Sequence, residues 1–441
     1  MILRMAKGTQ MTPTLLAEYI GKHKREVGMR YQKLQDAYEN RYDIFKQARK
    51  PDWKPDNRIS VNYAKYIVNT MNGFFIGSPV KVTSDDDAVN DYLQYLHSYN
   101  NIDDNNSELS KIADIHGMAY EMYYIDEDSQ VGITHLSPMN AFIIYDESII
   151  PQPMYFIRYY MGVDRKEHGS WSDESMIQYF VREGSYKWVD EPKAHLFDGV
   201  PAVEYVANEE RMGLFEDALP MINAYNKAIS EKANDVDYFA DAYLKVLGGK
   251  LTQEDLKFLR RNRIINLETD YPESGLQVEF LQKPDSDSTQ EHLIDRLERQ
   301  IFQISMVANI SEEDFGNSSG IALRYRMAAM SNLAQVKERK FTAAMAERYR
   351  LIFSHPALTG TKVGADDWTK LNYHFTRNYP VNVSDEAETA QKLEGIVSKE
   401  TQLRVLSLVK DPVKEMEQMA NEEAERVASA DSYSGAFGHS H

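Results

Sequence analysis

The sequence predicts an α+β protein, predominantly helical, with one antiparallel β-rich region set among long helices. Three observations predict it. Apolar residues recur at spacings of three and four over most of the 441 residues, the mark of amphipathic helices. Between residues 119 and 206 that period gives way to short alternating segments divided by Asp, Ser, Pro and Gly, which read as strands and turns. One further stripe (Ala218, Ile222, Tyr225, Ile229, Ala233, Val236, Ala240, Tyr243, Leu247) steps by four and three through about eight turns, roughly 45 Å of helix.

In chain order, Thr12-Pro13 caps a helical stretch over 12–49, whose apolar face runs Leu15, Leu16, Tyr19, Ile20, Tyr31, Leu34, Tyr38 and Tyr42. A loop at Arg49–Asp56 leads to a helix ending near Ile76, stopped by Gly77-Ser78-Pro79. Helices follow at 88–98 and 107–118, the latter closing at Gly117. Strands are expected at Ala119–Ile125, Val131–Leu136, Ala141–Tyr145, Met154–Met161, Met176–Val181 and Ser185–Val189, with Asp126-Glu127-Asp128 as a turn. The long stripe then runs to Gly248-Gly249. A mixed module over 250–285 carries Lys257-Phe258-Leu259-Arg260-Arg261-Asn262-Arg263 and a strand at Gln277–Leu281. Ser288 with Glu291 reads as a capping box for a second helix lined by Leu293, Leu297, Ile301 and Ile304. A polar loop over 310–320 precedes a third long helix, which Pro356 ends. A strand at 368–376, helices from 385 broken at Asp411-Pro412, and a flexible tail over 431–441 complete the chain. Two long helices separated by a small module form a hairpin that a monomer buries poorly, so packing beside copies of itself is expected.

Composition excludes several classes. The length suits two to four domains of roughly 100–200 residues. There is no cysteine, hence no disulfide, Cys-ligated zinc, iron–sulfur cluster or thiol catalysis, in keeping with a reducing compartment. No apolar run reaches a membrane span of roughly 18–20 residues, and no signal peptide is expected. The net charge of −18 argues against a basic DNA-coating surface but not against a channel through which DNA slides. Charge is uneven: net +6 over 1–58, −10 over 81–128, +5 over 320–350 and −6 over 384–431. Such blocks pair within a chain or between subunits. The 28 tyrosines suit core and interface positions.

Enzyme motifs are weak. Gly316-Asn317-Ser318-Ser319-Gly320 fits a G-x-S-x-G elbow, which would make Ser318 the nucleophile of a hydrolase. A helix follows it, but Ser311-Glu312-Glu313-Asp314 is no buried strand. The downstream histidines, His355 at a helix end, His374 in a strand and His439 and His441 in the tail, are poorly placed. Gly248-Gly249-Lys250-Leu251-Thr252 lacks P-loop spacing, and no H-E-x-x-H is present. No cofactor, metal or catalytic residue is expected. Arg324, Arg326, Lys337, Arg339, Lys340, Arg348 and Arg350 on the third helix suit inter-subunit ion pairs or a surface facing nucleic acid.

Four strings carry a resemblance: Asn57-Arg58-Ile59-Ser60-Val61-Asn62-Tyr63 leading to Gly73–Pro79; His116-Gly117-Met118-Ala119-Tyr120-Glu121; Phe215 to Asn226 with Ser230 and Asn234-Asp235; and Phe315 to Tyr325. Over roughly residues 50–400 the chain resembles the portal proteins of long-tailed bacteriophages, the head–tail connectors. The resemblance implies a ring, usually of twelve subunits, around a DNA channel at one capsid vertex. It implies a wing over 1–215, β-rich at 119–206, with a return strand in 357–384. Stem helices fall at 216–249 and 286–309, a clip at 250–285, a tunnel loop at 310–320, a long helix at 321–356 and crown helices at 385–430. The implied partners are other copies of the chain, double-stranded DNA, the terminase large subunit, a head–tail adaptor, scaffold and major capsid protein, with no membrane. The implied location is the virion, after assembly in the host cytoplasm. Tunnel-loop residues would be Glu312, Glu313, Asp314, Asn317, Ser318, Ser319 and Gly320. The clip would use Lys257, Arg260, Arg261 and Arg263 toward motor or adaptor. An acidic loop suits a duplex that must move, since each Lys or Arg on a phosphate adds salt-sensitive affinity. A helical structural oligomer without a DNA role and the Ser318 hydrolase are the alternatives.

Overall fold

The computed structural model describes residues 2–51, 54–240, 244–247, 277–280, 287–310, 325, 327–356, 362–379, 383–406, 408–409 and 412–422. Strand β1 (Leu3–Arg4) opens the chain. Helix α1 (Pro13–Glu26) starts where the sequence places it, the Thr12 hydroxyl accepting from Leu15 N. The helix expected over 12–49 is then interrupted. Val27–Tyr31 is a π turn, α2 (Gln32–Tyr38) follows, and Asn40 turns the chain at φ 64° before the short α3 (Asp43–Lys46).

Helix α4 (Tyr63–Ile76), strand β2 (Lys81–Thr83), α5 (Asp87–Asn100) and α6 (Ile102–His116) come next. Asn101, in the left-handed region, joins the last two, and Gly117 closes α6 at φ 88°. A Cβ on Gly117 would run into the carbonyl of Arg211, so this position needs glycine both for conformation and for space.

The β region holds eight strands: β3 (Met118–Ile125), β4 (Val131–Leu136), β5 (Ala141–Tyr145), β6 (Pro153–Met161), β7 (Glu167–Ser172), β8 (Met176–Glu183), β9 (Ser185–Ala194) and β10 (Ala202–Val206). They form two sheets, β1-β5-β6-β7-β8-β9 and β10-β3-β4. The Asp126 turn is as expected, with its carboxylate accepting from Asp128 N and Gln130 N. Strands β1, β2, β7 and β10 are additions. β1 pairs parallel to β5, and β7 reads Glu-His-Gly-Ser-Trp-Ser, whose composition gives no strand signal but which is held by β6 and β8 on both sides. The outer side of β4 is covered by Asn100, whose amide donates to Val131 O (3.0 Å) and accepts from Ile133 N (2.8 Å), in place of another strand.

Helix α7 (Leu219–Ala240) ends sooner than the apolar stripe. Leu244–Leu247, expected to be its last turn, is strand β11, paired antiparallel with β12 (Gln277–Phe280). Here Val246 opposite Val278 wins over helical period, because the same apolar residues also suit a pleated pair. Helix α8 (Asp287–Ser305) already contains Ser288, so Ser288 is not its cap. Helix α9 (Ala328–Phe353) is the third long helix. A short 3-10 turn (Asp367–Lys370) replaces the start of the expected 368–376 strand, leaving β13 (Asn372–His374) against β2. The C-terminal helices are α10 (Val383–Lys392), α11 (Lys399–Leu403) and a helical run at 412–422. Gly395, at φ 76°, divides what the sequence read as one helix.

The largest core gathers α4, α5, α6, the roots of α7 and α8, and α9. A second core lies between α1 and the six-stranded sheet (Leu16, Tyr19, Ile20, Phe142, Ile157, Trp171). A third joins the two sheets through Met118, Tyr120, Ile143, Phe156, Val200 and Ala202.

Candidate conduit elements: hairpin root, loop anchor and ionic frame

Helices α7 and α8 form an antiparallel hairpin. At its root Tyr63 touches Tyr225 and Phe302 edge-on, with centroids 5.1 and 5.4 Å apart. Toward its far end Gln290 Nε2 donates to Asp235 (3.0 Å) and Lys232 pairs with Glu291.

An extended segment runs along α7. Val61 N donates to Asn226 Oδ1 (2.8 Å), Ile59 N to Ser230 Oγ (2.9 Å) and Asn57 N to Asn234 Oδ1 (2.6 Å). The geometry is commensurate: alternate residues of an extended chain are about 6.6 Å apart, and one four-residue helical step is about 6 Å. Three buried polar residues one turn apart can therefore satisfy three alternate backbone amides. The two strings that carry the resemblance here, 57–63 and 215–235, bind each other. Sequence reading found both but not their contact; polar residues at i, i+4 and i+8 inside an apolar helix were the signal.

The hairpin is also clamped at its start. Arg30, on the π turn, forms two 2.7 Å bonds to the carboxylate of Glu216 and one to the carbonyl of Arg211. Glu216 also accepts from Gly213 N (2.9 Å). Burial works against charge on Glu216, yet Arg30 and the Gly213 amide hold its pKa below the ordinary value.

At the end of α8 the chain is fixed before the expected tunnel loop. Ile310 N donates to Tyr66 OH (2.8 Å), while Tyr66 stacks edge-on against Phe302. On the far side Met327 is buried at the start of α9. Glu312, Glu313, Asp314, Asn317, Ser318, Ser319 and Gly320 themselves lie outside the described residues, as do Lys257, Arg260, Arg261 and Arg263 and the tail.

Helix α9 is held by two buried ion pairs. Arg348 donates through Nε and Nη2 to Glu121 (both 2.8 Å) and through Nη2 to Asn106 (2.6 Å). Glu121 also accepts from Asn105, Tyr123 and Tyr205. Burial opposes the charge on Arg348, but Glu121 together with the surrounding Tyr205, Tyr349 and Tyr123 outweighs it and the guanidinium pKa is raised. Lys337 Nζ lies 2.7 Å from Asp114 and donates to Ser110 Oγ (2.7 Å) above the Phe75 ring. Burial dominates this pair, lowering the Lys337 pKa and raising that of Asp114.

These contacts correct, for all its described cations but Arg339, the reading of α9 as a face for inter-subunit ion pairs or nucleic acid; Arg339 is exposed with no ion pair among the described residues. Lys337 and Arg348 are interior, Lys340 pairs with Glu209, and Arg350 pairs with Glu347 and Asp198. Arg324 and Arg326 lie outside the described residues. Part of the basic N-terminal block is likewise paired within the subunit, in Lys24–Glu167, Arg30–Glu216, Lys46–Asp36 and Lys50–Glu231. Of the histidines weighed as catalytic, His355 is buried with Nε2 on the carbonyl of His195 (3.1 Å), and His374 is in β13.

A family model described as phage portal protein, SPP1 Gp6-like, matches residues 16–428. The chain belongs to that family. It is 24% identical over 445 aligned positions to the portal protein of Bacillus phage SPP1, covering 93% of this chain and 86% of that one. It is also 24% identical over 439 positions to the portal protein of Clostridium phage phiCD119, covering 89% and 92%. A solved structure titled "Neck of empty GTA particle computed with C6 symmetry" contains a chain similar to it at a TM-score of 0.45 and 13% identity, over 82% of this chain and 96% of that one. As a portal-family chain it is structural, and among its described residues no helix is long and apolar enough to cross a membrane.

Proposed function

We propose that this chain assembles as a ring, with twelve subunits as the expected number, at one capsid vertex. The ring is a conduit through which double-stranded DNA enters during packaging and leaves during ejection. The α7–α8 hairpin is its stem and the module between them its clip, where the terminase large subunit and then the head–tail adaptor dock. The acidic C-terminal helices form its crown.

The observation that carries the reading is the unfinished burial of the stem. Ile294, Ile301 and Ser305 of α8 face inward, whereas Leu293 and Ile304, about a quarter-turn round the helix, are 51% and 47% exposed. A hairpin apolar on two adjoining faces buries the second only against a neighbouring copy. The charge pattern supports the conduit. Several cations of the N-terminal block and most of those described on α9 are matched inside the subunit, while Asp85, Asp87, Asp91, Asp103 and Asp104 are exposed with no ion pair among the described residues. Such a surface has little grip on phosphates.

Negative-stain electron microscopy of the purified protein tests this. Rings with a central channel that admits duplex DNA are expected; rings or filaments without a through-channel overturn it. In the tunnel loop, Glu312→Lys, Glu313→Lys and Asp314→Lys together should slow DNA passage, and packaging at the wild-type rate would refute a repelling role.

A further inference from the structure

Two features of the β region are complementary. The first is the tip between β5 and β6. Asp146 organises it: Oδ1 accepts from Ser148 N (3.2 Å) and Gln152 N (2.8 Å), and the Asp146 amide donates to Gln152 O (2.9 Å). Ser148 Oγ lies 2.6 Å from both Asp146 Oδ1 and Ile150 O, and Gln152 Nε2 donates to Ile150 O (3.1 Å). This well-tied loop nevertheless presents Ile149 and Ile150 to water, 102% and 74% exposed, with exposed Glu147 beside them. A rigid knob of two isoleucines loses little conformational freedom when it is covered.

The second is a cavity of about 830 Å³ between the two sheets. Beyond Phe156 and Met118, which fill one end of the space, the sheets part. Arg158, Ile177, Tyr179 and Lys193 on one side face Met122 and Thr134 on the other, and Leu196 and His355 lie at the margin. In a chain of net charge −18, none of the described residues lining this cavity is acidic. Arg158 Nε donates to Ser170 Oγ (3.0 Å), and neither Arg158 nor Lys193 has a carboxylate partner among the described residues. Burial lowers the pKa of His195 and of His355, so the positive charge belongs to Arg158 and Lys193.

We propose that the Ile149–Ile150 knob of one subunit seats in the inter-sheet cavity of the next copy, with Glu147 toward Lys193 and Arg158. The tip joins β5 to β6, whereas the cavity lies under β6 to β9; they are different patches of one subunit, so the contact is head-to-tail and repeats from copy to copy, the kind that closes into a ring. This rests on the ring reading and adds to it a second contact, in the β region and away from the stem.

The absence of cysteine makes the test direct. In Ile150→Cys/Ala194→Cys, oxidation should give a ladder of covalent oligomers that collapses on reduction. Either single variant should give no ladder, and neither should Val163→Cys/Ala194→Cys, whose first site is more exposed than Ile150 and lies at the other end of β6. Native mass spectrometry of the reduced double variant reports the ring independently. A ring without the ladder, or a ladder in the Val163 control as well, overturns the knob contact and leaves the ring reading standing. A wild-type chain that stays monomeric overturns both. Glu147→Lys should lower ring yield about fivefold, and adding Lys193→Glu should restore it. Unchanged yield in Glu147→Lys refutes the charge pairing.

Discussion

Replacing Arg348 with methionine should be among the most damaging single changes in this chain. Arg348 and Glu121 are both 0% exposed. Methionine preserves much of the arginine stem's apolar contact but removes both bonds to Glu121 and the one to Asn106. The Glu121 carboxylate keeps its bonds from Asn105, Tyr123 and Tyr205, all from neutral donors, so a buried charge is left without its counter-charge. Breaking a buried pair from one side costs about 3–5 kcal/mol. Adding Glu121→Gln to Arg348→Met removes that stranded charge and should recover about 2 kcal/mol, a non-additivity within the range for groups in direct contact. Urea unfolding followed by tryptophan fluorescence reads both variants, since Trp368 packs against the core to which α9 belongs. A loss under about 1 kcal/mol in the single variant, or a double variant no more stable than the single, would refute the reasoning.

Asn226→Ala should strand the amide of Val61 and cost about 1–3 kcal/mol, with Ser230→Ala acting likewise on Ile59; tryptic cleavage at Arg49–Arg58 should accelerate about tenfold. Gly117→Ala should destabilise by about 2 kcal/mol or more, from positive φ and from contact with the Arg211 carbonyl; a thermal melt unchanged from wild type would contradict the fit. Burial lowers the pKa of each of His23, His97 and His116 from 6.5 to about 4. Between those values the unfolded chain binds the protons, so stability should fall as pH drops from 6.5 toward 4, by up to about 1.4 kcal/mol per unit for each histidine. His23→Gln should flatten that slope by about one proton, as measured by urea midpoints at successive pH values.

The sequence by itself was enough for the helices with clean ends and one apolar face. The helix stopped at Ile76 by Gly77-Ser78-Pro79, the helix expected over 88–98 and the closure of α6 at Gly117 follow from breakers, period and a glycine stop, all local signals. It was enough for most of the strands as well, and the portal family could be recognised from short strings whose residues turn out to hold one another. It could not place β7 or β11. Glu-His-Gly-Ser-Trp-Ser becomes a strand because β6 and β8 supply both its hydrogen-bonded edges, and the end of the α7 stripe becomes a strand because Gln277–Phe280 offers a partner. Charge misled where burial decided: Lys337 and Arg348 read as part of a face for inter-subunit ion pairs or nucleic acid, yet Asp114 and Glu121, more than 200 positions earlier, draw them inside. Pairings of that kind depend on long-range proximity, which residue spacing does not encode. The inter-sheet cavity exists for the same reason: only the divergence of two sheets leaves Arg158 and Lys193 facing open space with no acid opposite.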